Sequence, residues 1–403
     1  MSAHPLDPRH ALPVVLAGAR GHGRWHLENI RRLQRDGHVR LVGVCELRPL
    51  DDEELTGFGA VAQSDDLAGL LDATGAAAAV ICTPIPTHTD LALTAAARGV
   101  HVLLEKPPAP SYAEFRRMAD GAAAAGAAVQ IGFQSLGSGA LPAIRRLLAE
   151  GAIGEVTGVG GAGAWVRDEA YFRRAPWAGR RRMDGTDVVD GVLTNPLAHA
   201  VATALALAGS ATAEDVTAVE TELFRAHAIE SDDTSCVRIS TASGVTVAVA
   251  ATLCAHTQEE PYVVVHGSEG RITFWYKQDR VLVRRGADMA AGPPALYGRT
   301  DLLRNLADHL RGAAELLVPP TATGAFMRVV EAVRVAPDPR PLPADAWRAA
   351  PGEHAERRVV HGVDGLVAVA ADSLCLFSEL GADWALPRPR PSHGDLHDEL
   401  RTR

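Results

Sequence analysis

The chain contains no apolar run near the roughly 20 residues that a membrane-spanning helix needs. It has no excess of positive charge either: across 403 residues the formal net charge is −9, which argues against a nucleic acid or a membrane surface as the main partner. Cysteine is sparse. Cys45, Cys82, Cys236, Cys254 and Cys375 are scattered, form no disulfide framework and have no metal-ligand spacing, a pattern that fits a reducing cytoplasm. Residues 1–12 carry charges and prolines but no apolar stretch of the kind that opens a secretory signal. What remains is the composition of an ordinary globular protein, 47% hydrophobic and 22% charged, at a length that suggests two domains.

The first third alternates short apolar strands with helical patterns. Val14-Val15-Leu16-Ala17 runs into Gly18-Ala19-Arg20-Gly21-His22-Gly23, and a helix with Trp25, Ile30 and Leu33 follows. Strand, glycine-rich turn and helix form the context for binding a dinucleotide, because glycines let backbone N–H groups approach a pyrophosphate at the helix N-terminus. Gly18 and Gly23 fill the outer positions of G-x-G-x-x-G, but Arg20 takes the middle one, from which it is expected to turn outward and hold a phosphate. The next strand, Val39 to Cys45, ends at Glu46, placed to accept from the adenosine ribose hydroxyls and to repel a 2′-phosphate. Glu46 therefore points to NAD. Arg48, two residues on, could pair with that phosphate and keeps NADP open.

Further strands are expected at Val61-Ala62, Ala77 to Cys82, His101 to Leu104 and Val129 to Gly132, with helices between them capped by Asp90 and Ser111. Six strands alternating with helices make a doubly wound parallel sheet. The run Val102-Leu103-Leu104-Glu105-Lys106-Pro107 puts Lys106 at the carboxyl end of a strand, where such sheets bind their ligands.

Taken in order, the turn closing with Gly23-x-x-His26, Cys82-Thr83-Pro84 leading to His88, Glu105-Lys106-Pro107, Gly132-Phe133-Gln134 and Gly151-Ala152-Ile153-Gly154-Glu155-Val156 resemble the Gfo/Idh/MocA oxidoreductases over roughly residues 13–275. The resemblance implies an α/β protein in two parts, a Rossmann domain over 13–135 and an α/β domain with a large open, mostly antiparallel sheet over 136–386. It implies hydride transfer between a nicotinamide and a hydroxyl-bearing carbon of a sugar, cyclitol or modified carbohydrate, and a cofactor site that includes Gly18, Arg20, Gly21, His22, Gly23, Glu46, Arg48, Thr83, Pro84, His88, Glu105, Lys106 and Gln134. Lys106 inherits a substrate contact near the nicotinamide. His199 lands on the family's acid/base histidine, and Asn195 on the aspartate four residues before it. An amide cannot take a proton or hold an imidazolium by charge, so the resemblance leaves the part played by Asn195 open: it orients a substrate hydroxyl, or His199 moves the proton alone.

Asn195 is read as the cap of the His199 helix, with Pro196 in its first turn. Between Val156 and His199, Trp165, Arg167, Tyr171, Arg173, Trp177 and Arg180 suit a sugar-binding wall, because rings stack on carbohydrate faces and Arg donates to hydroxyls or carboxylates. Arg181 and Arg182 read equally well as a solvated basic loop. Strands from Thr217 to Val283 predict an antiparallel meander, whose broad face commonly makes dimer contacts in the resembling fold, so a homodimer or homotetramer is expected. Helices are predicted at 301–310 and 325–335, a Pro-rich linker or extended excursion near 336–352, a packing helix at 365–380 and a polar tail over 387–403. Two other functions remain open: a glycoside hydrolase or lyase using transient oxidation by bound NAD, and a non-catalytic dinucleotide-binding regulator.

Overall fold

A computed structural model describes residues 11–286 and 290–386. The predicted tail over 387–403 and all but the last two residues of the expected 1–12 extension lie outside the described residues.

The chain first builds β1 (Leu12–Ala17), α1 (Gly23–Arg35), β2 (Val39–Cys45), β3 (Ala62–Ser64), α2 (Leu67–Thr74), β4 (Ala78–Ile81), α3 (His88–Ala96), β5 (His101–Leu104), α4 (Tyr112–Ala124) and β6 (Val129–Ile131). All six strands are parallel, in the order β3-β2-β1-β4-β5-β6. Strand order reverses between β1 and β4, and that opens a crevice at their carboxyl ends. The strands are nearly all apolar because helices cover both faces. Ser111 caps α4 as expected, accepting from the Glu114 amide at 3.2 Å. Asp90 does not cap α3. That helix starts three residues earlier, with Thr87 at its N-cap, and Asp90 sits in the first turn, paired with Arg117 at 2.6 Å.

α5 (Ala140–Ala149) leads to β7 (Val156–Ala164), followed by α6 (Glu169–Phe172), a small hairpin of β8 (Arg182–Met183) and β9 (Thr186–Asp187), and α7 (Ala198–Leu207). The meander then runs through β10 (Val216–Arg225), β11 (Thr234–Thr241), β12 (Thr246–Thr252), β13 (Tyr262–Gly267), β14 (Gly270–Trp275) and β15 (Arg280–Arg285), with β16 (Ala290–Ala291) and β17 (Ala295–Leu296) on β15. α8 (Leu302–Leu310) and α9 (Gly324–Val335) follow. β7 lies between β12, to which it is parallel, and β13, to which it is antiparallel, so the large sheet is mixed but mostly antiparallel.

The segment around α8 returns to the first sheet. Gln130 donates to the Asn305 side chain at 2.5 Å and accepts from the Val318 amide at 2.8 Å, deep in the structure. Asn305 in turn donates to the Glu315 carbonyl at 2.9 Å and accepts from the Leu317 amide at 2.9 Å, so both buried side-chain amides are paired, as burial requires.

The region after Ala336 is not a linker. β18 (Arg340–Pro341) joins the edge of the large sheet beside β10, β19 (Trp347–Pro351) and β20 (Glu356–Val360) form a hairpin, and α10 (Val363–Ser373) lies across β7 and β12. The prolines do not exclude it from the sheet, because an edge strand tolerates a missing donor. α10 is shorter than the predicted helix: it ends where Leu374 turns left-handed at φ 58°. Its Val363, Val367, Ala370 and Ala371 bury a second core with Phe224 and Phe377. β7 reads Val-Thr-Gly-Val-Gly-Gly-Ala-Gly-Ala because helices press on both of its faces: a Cβ on Gly160 would meet the Ala371 carbonyl oxygen at 1.9 Å, and one on Gly163 would meet Leu197 at 2.6 Å. The centre of the broad sheet face expected to make dimer contacts, over β7, β12 and β13, is therefore covered by the chain's own α10.

Candidate active site

The glycine turn is built by close approach. A Cβ on Gly23 would lie 1.9 Å from the Gly18 carbonyl oxygen, and Gly18 itself sits at φ 82° against the backbone of Cys82 and Thr83. This brings the first N–H groups of α1 over the crevice at the ends of β1 and β4, the cradle a pyrophosphate requires. Glu46 ends the next strand with its carboxylate turned back into the turn, accepting from the Ala19 amide at 3.0 Å and from its neighbour Leu47 at 3.0 Å. A carboxylate can accept about four hydrogen bonds, so capacity remains for ribose hydroxyls. The residues present thus fit a dinucleotide.

Arg20 is turned outward as expected, but its guanidinium is engaged by its own neighbourhood and not left free. Its guanidinium pairs with Glu54 at 3.3 Å and donates to the carbonyls of Pro49 and Arg48, so it braces the loop after β2. The Arg48 side chain is on the exposed rim of the same loop. His88 differs from expectation as well. It is buried, with Nδ1 2.9 Å from the Pro107 carbonyl and Nε2 2.8 Å from the Thr83 carbonyl. Both nitrogens are occupied, so His88 ties the Thr83-Pro84 loop to the Lys106-Pro107 turn and has no atom left to offer a ligand. Thr83 keeps its hydroxyl on Thr87 at 2.7 Å. The Lys106–Pro107 peptide is cis.

Glu105 faces inward. Its Oε1 accepts from His26 Nε2 at 2.9 Å and from Gln134 Nε2 at 3.0 Å, and His22 Nε2 lies 3.7 Å away. Its Oε2 accepts from the Lys106 amide at 3.1 Å. Burial alone would raise this carboxyl, but the hydrogen bonds from His22 and His26 outweigh it and hold the group well below the usual carboxylate range. Glu105 and Gln134 therefore support the site from beneath.

Lys106 is one of only two lysines in the chain. Its Nζ donates to Asn195 Oδ1 at 2.7 Å and to the Asn195 carbonyl at 3.0 Å. Burial lowers its pKa, partly offset by the negative charges of Glu105 and Asp190. Two of its three N–H donors are thus committed, and one remains. Asn195 is not the expected helix cap. It lies in the turn before α7, whose N-cap is Leu197, and this frees its side chain to reach across to Lys106.

His199 opens α7. Its Nδ1 meets Ser135 Oγ at 3.2 Å, and Thr203, one turn further along the helix, donates to the same oxygen at 2.9 Å. Phe133 packs edge-on against the imidazole with ring centroids 5.5 Å apart. No protein group among the described residues bonds Nε2. Burial, and after it the Lys106 ammonium, pull the imidazole down to about 3, so it is neutral. Lys106 and His199 therefore converge on one site, joined through Asn195 on one side and Glu105, Gln134 and Ser135 on the other.

The wall beyond them is a ladder of cations and rings. Arg167 lies 4.7 Å from the Trp165 ring and 5.2 Å from that of Tyr171, and Arg174 lies 3.8 Å from Tyr171 and 4.7 Å from Trp177. Arg173 and Arg180 take no part in it; they pair with Glu169 and Glu230. Arg181 donates to the carbonyls of Val333, Arg334 and Ala336, a brace on the end of α9, and Arg182 pairs with Asp187. Sequence reasoning missed Arg174, Asp190 and Ser135. Asp190 stands directly before the motif that carries Asn195 and His199, but nothing in the one-dimensional pattern says which way it faces.

Two family profiles match this chain in succession: the GFO/IDH/MocA oxidoreductase family, NAD-binding Rossmann fold, over residues 12–133, and the GFO/IDH/MocA C-terminal domain over 142–273. Inositol 2-dehydrogenase of Streptomyces avermitilis is 32% identical over 146 residues, 36% of this chain and 42% of that protein, so the match spans less than half of that relative. Levoglucosan dehydrogenase of Pseudarthrobacter phenanthrenivorans is 25% identical over 291 residues, 63% of this chain and 72% of that one. Among solved structures, the fold matches the WlbA dehydrogenase from Bordetella pertussis in complex with NADH and UDP-GlcNAcA, with a TM-score of 0.65, 22% identity, and coverage of 80% and 95% of the two chains. A levoglucosan dehydrogenase in complex with NADH matches with a TM-score of 0.65, 20% identity, and coverage of 82% and 100%.

Proposed function

Since the chain belongs to the Gfo/Idh/MocA family of NAD-binding oxidoreductases, we propose that it transfers hydride between NAD and a hydroxyl-bearing carbon of a sugar, cyclitol or modified carbohydrate. The observation that carries this reading is the convergence of a lysine with one free donor and a neutral imidazole with a free Nε2. Bound NAD would supply the hydride acceptor. The turn at Gly18, Gly21, His22 and Gly23 would hold its pyrophosphate at the start of α1, Glu46 its ribose hydroxyls, and Thr83 and Pro84 would line the same crevice.

The remaining N–H of Lys106 would donate to the reacting oxygen and lower the cost of alkoxide character there. His199, with Nδ1–H directed to Ser135, presents the Nε2 lone pair as the base. Neutrality fits it to take a proton at the start of an oxidation. Trp165, Arg167, Tyr171 and Trp177 would hold the rest of the sugar, and the arginines favour a substrate that carries a carboxylate or phosphate.

The test is a dehydrogenase screen of aldoses, uronates, inositols and glycosides with NAD and NADP, read by nicotinamide absorbance. Turnover of a sugar or cyclitol with NAD supports the reading. Glycoside cleavage with no net nicotinamide change would replace it, and dinucleotide binding without turnover of any class would point to a regulator.

We also propose that the chain forms a homodimer or homotetramer in the cytoplasm. None of its five cysteines is paired, which suits a reducing compartment, and no described helix is long and apolar enough to cross a membrane. Because α10 covers the centre of the broad sheet, such contacts would include its outer side, where Val369 is 50% exposed. Light scattering after size exclusion gives the mass.

A further inference from the structure

Asn195 stands between an ammonium and a carboxylate. Its Oδ1 accepts from Lys106 Nζ at 2.7 Å, and its Nδ2 donates to Asp190 Oδ1 at 2.6 Å. Lysine only donates and an ionised aspartate only accepts, so the group between them must present an acceptor to one and a donor to the other. An amide does both. A carboxylate at 195 would instead lie 2.6 Å from that of Asp190, and two carboxylates so close cannot both stay ionised.

Asp190 is itself firmly held. It is 5% exposed, and its Oδ2 accepts from the Gly179 amide at 2.7 Å and faces Arg174 at 3.3 Å. The preceding residue, Val189, adopts φ 55°, a left-handed conformation unfavourable for a β-branched side chain. Two contacts fix it there: its amide donates to the Arg181 carbonyl at 3.2 Å, and its carbonyl accepts from Thr194 Oγ1 at 2.5 Å. Such backbone persists only where its surroundings over-determine it, and here it aims Asp190 at Asn195.

We propose that Asp190 is the positioning residue for Lys106: it orients the Asn195 amide so that its oxygen faces the ammonium, and it supplies at one remove the negative charge that a direct carboxylate partner would otherwise bring. The relay leaves Lys106 oriented but not tightly ion-paired, so its third N–H is free for an incoming oxygen. The charged and titratable groups that face Lys106 are Glu105 beneath it, Asp190 and Arg174 across the cleft, Cys82 at the end of β4, and His199 on α7. Glu105 and Asp190 favour the ammonium, whereas Arg174 opposes it.

The inference takes from the proposed function the role of Lys106 at the reacting oxygen, but its test reads the amine itself and needs no substrate. With only Lys106 and Lys277 in the chain, lysine labelled with carbon-13 at Cε gives two signals in the full-length protein, assigned by Lys277→Arg. Removal of the relayed charge in Asp190→Asn is expected to lower the Lys106 titration midpoint by about one pH unit. Moving the charge inward in the double variant Asp190→Asn with Asn195→Asp is expected to return the midpoint to the wild-type value or above. Asn195→Asp alone is expected to take up one proton on folding. A midpoint in Asp190→Asn within about 0.2 unit of wild type would overturn the proposal, since it would show that the charge at Asp190 does not reach the amine. If Asp190→Asn does not fold, the double variant decides: a midpoint below wild type there also overturns it. The substrate screen can fail without moving these values, and they can fail to move while the screen succeeds.

Discussion

His26 on α1 donates to Glu105 at the end of β5 across 2.9 Å, and both side chains are almost wholly buried. This bond joins the helix that opens the dinucleotide crevice to the strand that delivers Lys106. Replacing His26 with Ala should cost about 1–3 kcal/mol, the usual penalty for leaving a buried polar partner short of a bond. Urea unfolding at neutral pH checks the loss. Because the folded Glu105 carboxyl is held well below its ordinary value, its contribution is fully present above the ordinary carboxylate range and is lost as pH falls through the folded value. The gap between wild type and variant should therefore shrink in acid.

Lys106→Ala should cut kcat by roughly 100-fold or more, the scale of a lost electrostatic or proton-handling group, while changing NADH affinity far less. Stopped-flow turnover with fluorescence titration of NADH separates the two. Unchanged turnover would remove Lys106 from the chemistry.

His199 predicts a pH effect on stability. The folded imidazole stays neutral down to about 3, whereas in the unfolded chain it takes up a proton near its ordinary value of about 6.5. The unfolded state binds more protons in that interval, so stability should fall as pH drops from about 6.5 toward about 3. In His199→Gln the decline in Tm across that window should be shallower, and kcat should fall steeply at every pH.

Two glycines, Gly160 under α10 and Gly365 on its exposed side, should respond in opposite senses. Gly160→Ala forces a Cβ into the Ala371 carbonyl and should destabilise by about 1–3 kcal/mol, as overpacking does. Gly365→Ala, exposed on α10 with nothing within 4 Å, should stabilise by about 0.5–1 kcal/mol. Chemical denaturation of both variants checks whether α10 seals the sheet.

Glu46→Ser should weaken NADH binding by about tenfold, corresponding to about 1.4 kcal/mol, and narrow the preference over NADPH. Equal affinities in variant and wild type would show that the ribose is held elsewhere.

The doubly wound sheet could be read from residue order, because alternating apolar strands and capped helices have few ways to pack. The strands between Thr217 and Val283 could also be read, as short apolar runs broken by turns, but their near-continuous burial comes from helices packed on the sheet and not from an alternating pattern. Local polarity misled where a side chain's partner is distant in sequence: Arg20 looked free for phosphate until Glu54 closed on it, and His88 looked available until two carbonyls enclosed it. The prolines after Ala336 resembled a linker for the same reason, because nothing nearby in sequence records the sheet edge they join.

By itself, the order of residues determined the parallel sheet followed by a large, mostly antiparallel one, the glycine turn after the first strand, and the choice of Lys106 and His199 as the pair proposed to react. Tertiary structure alone decided how that pair is supported: Asp190 reaching Lys106 through Asn195, Ser135 turning the His199 ring, and α10 closing the outer face of the sheet. Strand and helix periodicities act over a few residues and are written in the local sequence, whereas a hydrogen bond between side chains 64 or 89 positions apart exists only once the chain has packed.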